Sequence, residues 1–113
     1  MQKLTNVFTY GSLMYPEVMY GLVKQTNYKT QTAVLKDYAR YHVKHAVYPG
    51  IIPVQGKSVK GIVYMDVTEE DLSILNRFET AEYKPTEITV VNEKGAKIKA
   101  VAYVYINPSN LMN

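Results

Sequence analysis

The 113-residue sequence predicts an α+β fold, a mixed and mostly antiparallel sheet curled into a small barrel with two short helices. Three observations point there. About six stretches read as strands and only two as helices. Such long β connectivity with so few helices favours a sheet that closes on itself. The strongest strand, Val59 to Val67, carries apolar residues on both faces, so it needs cover on two sides.

Taken in order, Leu4 to Tyr10 is a first strand of β-branched and aromatic residues. Pro16 to about Gln25 reads as a helix, because proline is tolerated in a first turn and Val18, Met19, Leu22 and Val23 form a stripe. Thr30 to Lys36 and Tyr38 to His45 read as two strands joined near Asp37. The stretch VYPGIIPVQGKS, with two prolines and two glycines, reads as a loop holding a short extended piece. After Val59–Val67, Thr68 is a good N-cap, followed by Glu69, Glu70 and Asp71 where the helix dipole favours anions. Leu72, Leu75, Phe78 and Ile74 are expected to face the core of that helix. Pro85 to Val91 and Lys97 to Ile106 form a hairpin around NEKGA, with Gly95 at positive φ. The tail NPSNLMN is expected to be loose.

The length favours one domain over residues 1–113. A 47% hydrophobic and 20% charged composition is that of an ordinary globule. With no cysteine there is no disulfide, thiolate metal site or cysteine nucleophile, which fits a reducing compartment. The N-terminus lacks the apolar region of a signal peptide, and no run approaches a membrane span of about 18 residues, so a cytoplasmic protein without membrane association is expected. The net charge is +3, yet the 13 Lys and Arg are interleaved with 10 acids and form no basic patch, which argues against nucleic acid as a partner. The 11 tyrosines, against 2 phenylalanines and no tryptophan, fit core edges or a hydroxyl-lined pocket.

Several groups could carry chemistry. His42 and His45 are three apart on what reads as a strand, so they point to opposite faces and make a poor metal pair. Ser12 lacks the G-x-S-x-G elbow of a serine hydrolase. The loop Tyr10-Gly11-Ser12-Leu13 is either a tight strand-to-helix turn or a cradle whose backbone N–H groups face an anion. Glu79, beside Phe78 at the end of the second helix, is either solvated or a base whose pKa is raised by the helix terminus and by burial. Glu82 competes with it.

The ordered set VFTYGSLM, VYPGIIP, VKGIVYMDVTEEDLSILNRFETAEYKPTEITV and AVAYVY resembles the γ-glutamylcyclotransferase-like family, which includes γ-glutamylamine cyclotransferases and plant avirulence-induced relatives. The resemblance runs from about Val7 to Tyr105. It implies a cofactor- and metal-independent enzyme that turns a γ-glutamyl amine or γ-glutamyl amino acid into 5-oxoproline and free amine. The family's glutamate maps to Glu79 rather than Glu82, and its substrate-holding loop to Tyr10, Gly11, Ser12 and Leu13. Tyr83 joins them as a pocket hydroxyl, with Tyr103 a further one. Asn76, Thr80 and Lys84 stand where the family more often has Asp, Gly and Arg. In the implied reaction the substrate's own α-amine attacks its γ-carbonyl, and Glu79 moves the protons. An α-ammonium titrates near 7.8 and an ordinary glutamate near 4.3, a mismatch of about 5 kcal/mol, so the role requires a sheltered Glu79. A non-catalytic module that binds a small γ-glutamyl-like ligand in the same pocket is the alternative.

Overall fold

The computed structural model describes residues 3–46, 48–79 and 81–112. Among these, five strands close into a barrel: β1 (Thr5–Thr9), β2 (Thr30–Val43), β3 (Pro49–Val67), β4 (Tyr83–Asn92) and β5 (Lys97–Tyr105). Around the barrel β3 pairs with β1, β1 with β5, β5 with β4, β4 with β2, and β2 again with β3. Every pairing is antiparallel except β1 with β5, where Val7 lies beside Val101 and Phe8 beside Ala102. The helices are α1 (Pro16–Leu22) and α2 (Glu69–Glu79), and a one-turn 3-10 helix spans Ser12–Met14.

The strand period of two sorts side chains into two clusters. Phe8, Leu35, Ile51, Val59, Val63 and Val90 fill the barrel. Val7, Met19, Tyr64, Val67 and Leu75 pack outside it, under the helices. Along β3, Val63 points in and Tyr64 out, which is the two-sided burial its apolar pattern predicts. At about 25 cal/mol per Å² of apolar surface removed from water, both clusters hold the barrel closed.

Four expectations are corrected. The two strands before residue 45 are one strand, β2, with a bulge at Asp37. Asp37 has φ 64°, and its carboxylate accepts the Gly56 N–H at 3.0 Å. Next, most of VYPGIIPVQGKS is the first part of the 19-residue β3 (Val47 lies outside the described residues). Its prolines are tolerated because this arm pairs with β2 alone, through Tyr38–Pro53 to His42–Pro49, and its other edge needs no ladder. The tail is not loose throughout. Pro108–Asn110 form a 3-10 turn, and a short β6 (Leu111–Met112) pairs with the end of β2, while Asn113 lies outside the described residues. Finally, α1 ends at Leu22 rather than near Gln25, because the Lys24 and Gln25 N–H groups donate to the Asp71 carboxylate at 2.9 and 3.1 Å.

Asp71 explains how the helices are held together. It is 1% exposed and sits in the first turn of α2, its own N–H capped by the Thr68 hydroxyl at 3.2 Å. It also accepts the Tyr28 hydroxyl at 2.6 Å. Burial pushes its pKa up, but the bonds from Tyr28, Lys24 and Gln25 outweigh this and hold it below the ordinary 3.8. A depressed carboxylate contributes stability that is present above its unfolded pKa and is lost as pH falls through the folded one. Unfolding midpoints measured from pH 6 downward should therefore fall once pH drops below about 4. Asp71→Ala should remove that acid limb and cost about 2–4 kcal/mol at neutral pH, since the Lys24 and Gln25 amides and the Tyr28 hydroxyl lose their shared charged acceptor.

Candidate active site

Where β1 ends, the chain leaves the barrel through Tyr10 and Gly11 into the 3-10 turn. The Met14 N–H donates to the Gly11 carbonyl at 3.0 Å and the Tyr15 N–H to that of Ser12 at 3.1 Å. The amides of Ser12 and Leu13, at the start of the turn, have no partner within it. Leu13 anchors the loop: its side chain is buried, and its carbonyl accepts the Tyr64 hydroxyl at 2.7 Å. Gly11 keeps an ordinary negative φ of −129°. A Cβ there would meet Pro49 Cγ at 3.2 Å and Cδ at 3.4 Å, so any larger residue requires the proline ring to give by a few tenths of an ångström.

That loop forms one wall of a cavity of about 380 Å³. Glu79, the last residue of α2, Tyr83, the first of β4, and Tyr103 from β5 line the same cavity. Glu79 is half-buried, and no described side chain donates a hydrogen bond to its carboxylate. Desolvation alone pushes its pKa up from 4.5 to about 7. Burial also drives the Tyr10, Tyr83 and Tyr103 hydroxyls well above the usual phenol range, and the charge of Glu79 pushes all three the same way. For Tyr10 this is opposed by the Ile51 backbone amide and the Arg40 charge. Among the described residues no lysine or arginine lines the cavity.

The structure therefore brings together Tyr10, Gly11, Ser12, Leu13, Glu79 and Tyr83, which the sequence singles out from two distant segments. Glu82 is exposed at the rim, where it accepts the Tyr48 hydroxyl at 2.8 Å. Phe78, expected in the core, is 43% exposed and lines the cavity instead, beside Glu79 in the last turn of α2. His42 and His45 are exposed and lie away from the cavity, so Ser12 has no histidine beside it. Among the described residues no group of three or more His, Cys, Asp or Glu could hold a metal ion, and no helix is long and apolar enough to cross a membrane. Thr80 lies outside the described residues. Sequence reasoning missed Tyr48 and Pro49 as lining residues and Asn76 as the acceptor of the Tyr103 hydroxyl at 2.6 Å. The first two lie in the segment read as a loop. Asn76 is legible only as the residue one helical turn before Glu79.

The family model described as gamma-glutamyl cyclotransferase, AIG2-like, matches residues 7–112. AIG2-like protein D of Arabidopsis thaliana is 34% identical over 102 residues, which cover 88% of this chain and 66% of the relative. AIG2-like protein C of the same plant is 34% identical over 103 residues, covering 90% of this chain and 59% of the relative. The chain thus spans about three fifths to two thirds of the length of these curated relatives. A solution structure of an Arabidopsis thaliana protein superposes with a TM-score of 0.83 at 30% identity, covering 97% of this chain and 76% of that one. The fold is shared with a structure titled gamma-glutamyl cyclotransferase, at a TM-score of 0.82 and 19% identity, covering 93% of this chain and 68% of that one.

Proposed function

The chain belongs to the gamma-glutamyl cyclotransferase, AIG2-like family, and we propose that it cyclises a γ-glutamyl amine or γ-glutamyl amino acid to 5-oxoproline, releasing the free amine, with Glu79 as general acid and base. The observation that carries this reading is that Glu79, half-buried with a pKa near 7, lines the same cavity as the Tyr10–Leu13 loop. A cavity of about 380 Å³ is of a size to take a small ligand.

The chemistry needs little beyond placement and proton transfer. Nucleophile and electrophile share one molecule, so ring closure already has a high effective molarity. Glu79 takes a proton from the substrate α-ammonium. The freed amine nitrogen bonds to the γ-carbonyl carbon, whose oxygen takes up negative charge. The bond to the leaving nitrogen then breaks as Glu79 returns the proton to it, while the second proton, shed by the positively charged ring nitrogen as the lactam forms, passes to the released amine or to solvent. With Glu79 at about 7 rather than 4.5, the gap to a terminal α-amine near 7.8 shrinks to about 1 kcal/mol of uphill transfer. The substrate's own α-carboxylate stabilises its ammonium further, which makes a raised base the more necessary. The amides of Gly11 to Leu13 offer hydrogens to the negative end of the substrate, and Tyr10 and Tyr83 shape the walls.

Purified chain should release 5-oxoproline and free amine in equal amounts from at least one member of a panel of γ-glutamyl amines and γ-glutamyl amino acids. Saturable binding with no 5-oxoproline from any member would instead identify a ligand-binding module.

A further inference from the structure

The tyrosines around the cavity share a property that bears on how a substrate is held. Each gives its hydroxyl proton to the protein. Tyr10 donates to the Tyr103 carbonyl at 2.5 Å, Tyr83 to the Pro49 carbonyl at 2.7 Å, Tyr48 to Glu82 at 2.8 Å and Tyr103 to Asn76 Oδ1 at 2.6 Å. A hydroxyl has one proton and two lone pairs. With the protons committed, these oxygens can offer only acceptors to the cavity. The same commitment explains why no tyrosine donates to Glu79, although three lie close enough for its charge to act on them. The cavity is thus lined by backbone donors on the loop and by tyrosine oxygens that can only accept.

Among these acceptors Tyr103 stands out. The Tyr10 oxygen already faces the Ile51 amide, and Tyr48 is at the exposed rim. Tyr103 is 3% exposed, lines the cavity beside Glu79, and is held by a side chain from the same helix face as Glu79, since Asn76 lies three residues earlier on α2. Resting on the cyclotransferase reading, we propose that Tyr103 receives an N–H of the substrate α-ammonium through a lone pair aimed into the cavity, and that Asn76 is the positioning residue that fixes this orientation by taking the Tyr103 proton. Helix α2 would then supply both the base and the holder of the group that presents the ammonium to it.

The test compares γ-glutamyl anilide as substrate with glutaryl anilide, which lacks the amine and cannot cyclise, as competitive inhibitor. Tyr103→Phe keeps the ring and Asn76→Ala alters an exposed side chain, so both should fold. Each should raise KM for γ-glutamyl anilide about tenfold or more, the scale of a hydrogen bond to a charged group, while leaving the inhibition constant of glutaryl anilide unchanged. Asn76→Asp, which still accepts the Tyr103 proton, should keep the wild-type KM. An unchanged KM in Tyr103→Phe, or equal weakening of both ligands, overturns the assignment. Wild-type protein that forms no 5-oxoproline from γ-glutamyl anilide or from any γ-glutamyl amine or γ-glutamyl amino acid of the panel overturns the underlying reading, and this inference with it.

Discussion

Glu79→Gln should lower kcat by about 10²- to 10⁴-fold, the usual worth of general acid–base catalysis, while making the folded protein more stable at pH 8. Both effects come from one cause. Burial raises the Glu79 pKa from 4.5 to about 7 because the ionised carboxylate is poorly solvated in the cavity wall. The unfolded chain ionises this group at its ordinary value. The cost of holding it charged in the fold is therefore absent below about pH 4.5, grows between 4.5 and 7, and is full above 7. At about 1.36 kcal/mol per pH unit that span sets an upper limit of ~3 kcal/mol, and partial exposure lowers it to about 1–2. Glutamine removes the charge and so the cost. Urea unfolding should show Glu79→Gln more stable than wild type at pH 8 and indistinguishable at pH 4. In the wild type, 5-oxoproline formation should rise with pH through about 7 as the base ionises, and the variant should lack that limb. Equal activity of the two proteins on the best substrate would remove Glu79 from the mechanism.

Gly61→Ala is expected to be the most damaging single substitution in the barrel wall. A Cβ at Gly61 would be driven into the Thr9 carbonyl oxygen and come within 2.7 Å of Phe8 Cζ. The first obstacle is backbone, so it cannot swing aside as a flexible side chain would. Relief requires β1 to part from β3, which pair through Thr9–Ile62 and Phe8–Val63. A loss of about 3–5 kcal/mol follows, at the severe end of single substitutions. Chemical denaturation should place its midpoint far below that of Gly95→Ala, where only the turn conformation at φ 82° is strained and nothing lies within 4 Å. A Gly61→Ala protein as stable as wild type would mean that the two strands lie further apart than described.

The two alternating strands of the hairpin, the Thr68 cap and the positive φ at Gly95 were legible because each is a local signal. The arm of β3 was not. Pro49, Gly50, Pro53 and Gly56 are turn residues by local preference, and what makes them a strand is β2 alongside, with Asp37 bonding the Gly56 amide across the bulge. The end of α1 was hidden for the same reason, since Asp71 lies almost fifty residues away. In the candidate site, Glu79 and the Tyr10–Leu13 loop could be paired only through their order along the chain, as part of a family resemblance. Spacing alone does not reveal that they share a cavity. The lining by Tyr48 and Pro49 followed from the misread arm.

The place of β1 has a consequence for how the protein comes to exist. Strand β1 lies between β3 and β5, and its parallel partner, Val101 and Ala102, follows it only after β2, β3 and β4 have been made. Until they emerge, β1 lacks one flank and the barrel cannot close. Closure must therefore wait for β5, and such distant pairing is slow to form. The Tyr10–Leu13 loop hangs from the end of that strand, so no shorter nascent chain can present a finished cavity.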